Sequence, residues 1–135
     1  MAAPFTGGCA CGAVRYACSA EPPMIVNCHC RDCQRASGGP FATILAAPKQ
    51  ELTITGEVHY HEVMSDRGSP IARGFCGTCG SRLFSFPEAP FIGVSAGSLD
   101  DPSWCRPTCD IYTDSAQPWA VMNPELPKFS HMPPQ

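Results

Sequence analysis

The chain has 135 residues with a formal net charge of −3. That length suits one domain over residues 1–135 with roughly two-thirds of its unfolded surface available for burial; the acidic balance argues against nucleic acid, and no apolar run approaches the ~20 residues of a membrane span. Fifteen prolines and twelve glycines interrupt a 44% hydrophobic composition, leaving little room for long helices and predicting short strands with many turns.

The opening Met1-Ala2-Ala3-Pro4-Phe5-Thr6-Gly7-Gly8 has neither a basic n-region nor an apolar h-region, so it does not read as a secretory leader and a cytoplasmic location is the default expectation. In a reducing compartment thiols stay free, so the ten cysteines point to metal binding or catalysis rather than disulfides. Apolar, β-branched stretches follow at 13–17, 24–26, 41–45, 52–54, 58–63, 71–75, 83–86 and 91–95, separated by turn residues as in an antiparallel β-domain. The clearest helix covers 30–37, where Gly38-Gly39-Pro40 closes it: glycine can take the left-handed conformation and proline forbids continuation. The expected fold class is therefore mainly β and antiparallel, with one short helix at a cysteine cluster. From Gln117 on, Pro118, Pro124, Pro127, Pro133 and Pro134 predict irregular chain packed through Trp119 and Phe129. No internal repeat or linker interrupts the chain.

Two glycine-flanked turns, Gly8-Cys9-Ala10-Cys11-Gly12 and Phe75-Cys76-Gly77-Thr78-Cys79-Gly80, each offer two thiolates to one ion, and tetrahedral Zn²⁺ takes four sulfurs at about 2.3 Å. A redox Cys-x-x-Cys needs a strand-to-helix setting, whereas Gly74 and Gly80 bracket a knuckle; unpaired core cysteines are the plainer alternative. Between them, Asn27-Cys28-His29-Cys30-Arg31-Asp32-Cys33-Gln34 packs three cysteines and a histidine into six positions. Three protein ligands with an open fourth position are the pattern of a reactive zinc, where water or a substrate thiol binds. Cys105 or Cys109 can instead fold back to close the tetrahedron, His29 can ligate or stand behind the ligands, and a purely structural three-cysteine zinc stays open as well. Arg31 and Arg35, four apart on the predicted helix, share a face from which they either offset thiolate charge or bind substrate carboxylates. Cys18 reads as an ordinary half-buried strand cysteine.

Taken in order, Gly8-Cys9-Ala10-Cys11-Gly12-Ala13-Val14-Arg15-Tyr16, Asn27 to Gln34 with Gly38-Gly39, Phe75 to Ser81, and Ala96-Gly97-Ser98-Leu99-Asp100-Asp101-Pro102 resemble the glutathione-dependent formaldehyde-activating enzyme family over about residues 5–130. The resemblance implies a mostly β, tent-like fold with two zinc ions per chain: a structural one on Cys9, Cys11, Cys76 and Cys79, and a catalytic one on Cys28, Cys30 and Cys33. It implies that glutathione and formaldehyde are joined to S-hydroxymethylglutathione, formally a carbon-sulfur lyase run backward, with a small-molecule thiol as partner. Trp119 fits the family's proline-tryptophan pair and so a place on the pocket. Asp110 stands where family members often carry histidine. The same family takes in centromere protein V, which keeps a non-catalytic, zinc-stabilised binding module as the alternative function. Oligomeric state is not legible.

Overall fold

The computed structural model describes residues 4–65 and 68–134; Met1–Ala3, read above for a leader, lie outside them. The first sheet has three antiparallel strands, with β2 (Arg15–Cys18) between β1 (Phe5–Gly8) and β5 (Leu52–Thr55). Its alternation decides its inner face: Tyr16 and Cys18 of β2 are buried while Arg15 and Ala17 point to solvent. Gly7 is required where it stands, because a Cβ there would lie 2.2 Å from the Tyr16 hydroxyl, which runs under β1 to meet Ser98 Oγ at 2.7 Å.

The second sheet is formed by β3 (Ile25–Cys28), β4 (Ala42–Pro48), β6 (Val58–Met64), β7 (Pro70–Cys76), β8 (Arg82–Ser85), β9 (Phe91–Ser95) and β10 (Cys109–Ile111). Its order is β10-β3-β4-β9-β8-β7-β6, antiparallel throughout except for the parallel pair β10 and β3. The two sheets share a core that includes Val14, Tyr16, Leu45, Leu83, Phe84 and Val94. A second apolar cluster gathers Val26, Ile111 and Tyr112 around Cys28, Cys30, Cys33 and Cys109. All eight predicted strand stretches overlap observed strands, and the mainly β expectation holds.

The helix α1 (Arg31–Ser37) begins and ends as its sequence signals require. Cys30 caps it, its sulfur accepting from the Cys33 amide at 3.3 Å, and Gly38 ends it at φ 78° with its N–H on the Gln34 carbonyl at 2.9 Å. Gln34 is buried and donates to the His29 and Ser115 carbonyls, at 2.7 and 3.0 Å, tying the helix to the loop before it.

The proline-rich tail has an irregular course, but its backbone docks on β10: Asp110 N–H donates to the Pro127 carbonyl at 3.0 Å, and Phe129 N–H to the Asp110 carbonyl at 2.9 Å. Phe129 packs on the second apolar cluster as expected. Trp119, expected to pack beside it, is instead 64% exposed. No helix among the described residues is long and apolar enough to cross a membrane.

Candidate metal centres and the adjoining cavity

The turn from β1 to β2 and the turn from β7 to β8 bring Cys9, Cys11, Cys76 and Cys79 together, with all four sulfurs within 4.8 Å of one another. Cys11 Sγ lies 3.6 Å from Cys9 Sγ and 3.7 Å from Cys76 Sγ. Four sulfurs around a tetrahedral zinc at 2.3 Å stand about 3.8 Å apart, so the group fits such an ion. Backbone amides aim at the sulfurs, from Val14 to Cys9 at 3.2 Å and from Thr78 to Cys76 at 3.4 Å. Ser81 laces the two turns together: its hydroxyl accepts from Ala10 N–H at 3.0 Å and lies 3.2 Å from Cys79 Sγ. That hydroxyl and the Ser81 backbone lower the Cys79 pKa to about 5, favouring the thiolate a metal requires.

The second group forms where β3 hands over to α1. Cys28 ends the strand, Cys30 caps the helix and Cys33 occupies its first turn, and the three buried sulfurs lie within 4.8 Å of one another. Hydrogen bonds from the Cys28 and Cys33 thiols lower the Cys30 pKa to about 2, while Cys28, bonded to Cys30 and Cys33, is driven upward. Three buried sulfurs crowded this closely stabilise negative charge among themselves and can release protons to a cation, so this donor set also fits a zinc ion with a position left open.

The other sequence candidates stay outside this group. Cys109 belongs to the surrounding apolar cluster and Cys105 packs on the main core. Cys18 is fully buried, 1% exposed, rather than half-buried. His29 is completely buried between the ligands, with its Nε2 3.1 Å from Asp110 Oδ1 and its ring 5.0 Å from Phe41. It therefore braces the loop from behind, and its Nδ1 has no hydrogen-bond partner among the described residues.

Asp110, singled out because histidine often stands there in the resembled family, is buried on β10 and lines neither cavity described below. Burial raises its pKa, but hydrogen bonds from Lys128, His29 and Asn27 outweigh that and hold it below the usual carboxylate range. Lys128 Nζ reaches Asp110 Oδ2 at 3.0 Å from the tail, so one cation compensates the buried carboxylate and fastens the tail. Lys128→Met is expected to lower unfolding free energy by about 2 kcal/mol in urea titrations, since it strips a hydrogen-bonded charge partner from a buried carboxylate. An unchanged midpoint would mean that the pair contributes nothing.

Arg31 and Arg35 share a face as the spacing predicts, but that face is turned away from the sulfurs. Both are exposed and line neither cavity, and Arg31 Nη1 donates to Gln34 Oε1 at 2.5 Å. The reason is rotational. At 3.6 residues per turn each lies roughly 200° around the helix from Cys33, which faces inward. The guanidinium at the sulfurs comes instead from β7: Arg73 Nη2 donates to Cys33 Sγ at 3.7 Å, and its Nε is buried without a partner among the described residues. The sequence offered a signal for it in one arginine inside the apolar run 71–75.

A cavity of about 210 Å³ opens on Cys28, Cys30 and Cys33, and its other walls are largely apolar. Beyond Ile44, Arg73 and Ser85, which border both spaces, lies a cleft of about 900 Å³ with mixed walls, in which apolar residues alternate with Arg15, Arg82, Ser37, Thr43 and Ser98. Arg15 is engaged there by Asp100, at 2.9 Å through Nη1. Trp119 lines neither space, so the place on the pocket expected for it is not found.

Residues 4–115 match the family model described as glutathione-dependent formaldehyde-activating enzyme. A Halomonas elongata protein whose name carries that same description is 34% identical over 107 residues, covering 75% of this chain and 68% of the relative. The crystal structure of a Rhodobacter sphaeroides protein superposes with a TM-score of 0.56 at 20% identity, over 92% of this chain and 99% of that one, a likeness of fold alone.

Proposed function

The chain belongs to the glutathione-dependent formaldehyde-activating enzyme family, and from that premise we propose that it joins a small thiol, glutathione, to an aldehyde such as formaldehyde, as a zinc-dependent carbon-sulfur lyase running in the direction of synthesis. The observation that carries this reading is the cavity: it opens directly on Cys28, Cys30 and Cys33, with Arg73 at the boundary to the larger cleft. A zinc-stabilised binding module has no need of such a chamber.

In this reading Cys9, Cys11, Cys76 and Cys79 hold a structural zinc, and Cys28, Cys30 and Cys33 hold a second. Bound at the second group, zinc would lower the pKa of the substrate thiol, so that it is present as thiolate near neutral pH. The protein's own residues do the rest. The arginines and hydroxyls of the larger cleft receive the charged ends of the peptide thiol, Arg73 offsets negative charge at the sulfurs, and the apolar walls of the smaller cavity exclude water from the reacting atoms. The sulfur attacks the carbonyl carbon, the carbon-sulfur bond forms, and the carbonyl π pair moves to oxygen, which takes up the proton the thiol gave away.

Arg73→Ala is expected to weaken glutathione binding to the zinc-loaded protein by about 1–3 kcal/mol in titration calorimetry, the scale of a charge-assisted hydrogen bond, with zinc content unchanged. Arg35→Ala, on the exposed face, is expected to leave the affinity unaltered. No binding heat with millimolar glutathione and the unmutated, zinc-loaded protein overturns the reading.

A further inference from the structure

The cavity on Cys28, Cys30 and Cys33 is much larger than a one-carbon aldehyde needs. One water requires roughly 10–15 Å³ of such space, and the cavity holds about 210 Å³. Its chemistry is as telling as its size. Met24, Val26, Ile44, Ile71, Phe91 and Met132 contribute to its walls, whereas hydroxyls and guanidinium groups concentrate in the adjoining cleft. Two of the wall residues, Phe91 and Met132, are 47% and 39% exposed, so apolar surface continues from the chamber toward solvent.

A peptide thiol with two carboxylates and an ammonium group cannot lie in that chamber without stripping charges of water against hydrocarbon. The cleft beyond Arg73 suits those charges, with Arg82, Ser37, Thr43 and Ser98 in its walls. The thiol then reaches the three sulfurs from the cleft side, past Ile44, Arg73 and Ser85, and leaves the apolar chamber to whatever the carbonyl carbon carries.

We propose that the carbonyl substrate is an aldehyde bearing an apolar substituent of several carbons, aliphatic or aryl, seated among Met24, Val26, Ile44 and Phe91. The inference rests on the thiol-aldehyde reading above and names its second substrate. The bond changes are those of a simple addition: the sulfur-carbon bond forms, the carbonyl π bond becomes a hydroxyl by taking the thiol's proton, and no oxidant or reductant takes part. The product is a hemithioacetal, in which the former thiol sulfur carries the hydroxyl-bearing carbon.

The test uses unreactive thioethers on the zinc-loaded protein, read by calorimetry. Moving each methylene from water into apolar contact is worth about fourfold in affinity, before ordering costs. S-hexylglutathione is therefore expected to bind at least about tenfold more tightly than S-methylglutathione. Ala46→Phe, which fills the chamber, and Phe91→Ala, which removes a half-exposed wall, are each expected to cut that advantage, read as the ratio of the two affinities in the same variant, to less than about threefold. Equal affinity for the two thioethers overturns the inference and leaves the glutathione reading standing. Binding of glutathione but of neither thioether does the same, whereas failure of glutathione itself to bind overturns the reading on which the inference rests.

Discussion

Cys76→Ser is expected to leave the protein without a cooperative thermal transition. Cys76 is 1% exposed at the end of β7, in the core shared by both sheets, and its sulfur accepts the Thr78 amide and lies 3.7 Å from Cys11 Sγ. The group to which it belongs is the point where the turn of the three-stranded sheet is clasped to the turn of the seven-stranded one. On the reading in which these four cysteines hold zinc, losing one thiolate removes most of a contribution on the order of 10 kcal/mol, comparable with the whole ~5–15 kcal/mol by which a domain is stable. A serine hydroxyl in its place adds a polar group to the core without restoring the ligand. Calorimetry on wild type and variant checks this, and a melting temperature within a few degrees of wild type would show that the four-cysteine group does not hold the sheets together.

What the sequence disclosed, and what it withheld, follows from how local each signal is. The cysteine groups were legible because their members come as close pairs or triplets flanked by glycine, and folding had only to bring two turns together. The same holds for α1, whose cap at Cys30 and stop at Gly38 lie within its own stretch. β1 gave no signal, since two of its four residues are glycine and its strand character comes from pairing with β2. β10 was nearly hidden for another reason. It is three residues long with a charged Asp110 at its centre, and only the parallel partner β3 and the compensation by Lys128 and His29 make that charge tolerable in a strand.

Arg73 shows the same limit at the site. It meets Cys33 from 40 positions away, across the sheet, so no spacing rule within a helix could have found it. The four-residue spacing of Arg31 and Arg35 correctly placed the two on one face, but spacing does not say which way a face points; the burial of Cys33 and Gln34 turned it outward. Trp119 fails similarly, because a proline-tryptophan pair fixes local backbone and says nothing about what the ring will touch.

On the proposed thiol-aldehyde reading with two zinc ions per chain, Cys30→Ser is expected to abolish the addition while sparing the fold, with zinc content falling to one ion per chain. The asymmetry with Cys76 comes from what each sulfur does besides binding metal. Cys30 caps α1 by accepting the Cys33 amide at 3.3 Å, and serine is among the best residues for that task, so its hydroxyl takes over the bond and the helix keeps its start. The supports behind the loop are untouched: His29 remains against Asp110, and Gln34 remains on the His29 and Ser115 carbonyls. What disappears is one of the three sulfurs, leaving two buried thiols that hold a thiophilic ion poorly. Metal analysis, melting temperature and the rate of glutathione-dependent aldehyde loss, measured together on Cys30→Ser, distinguish the outcomes. Retention of both zinc ions and of the rate would remove Cys30 from the reacting centre. Collapse of the melting temperature to that of Cys76→Ser would show that both cysteine groups serve the fold alike and that neither is reserved for chemistry.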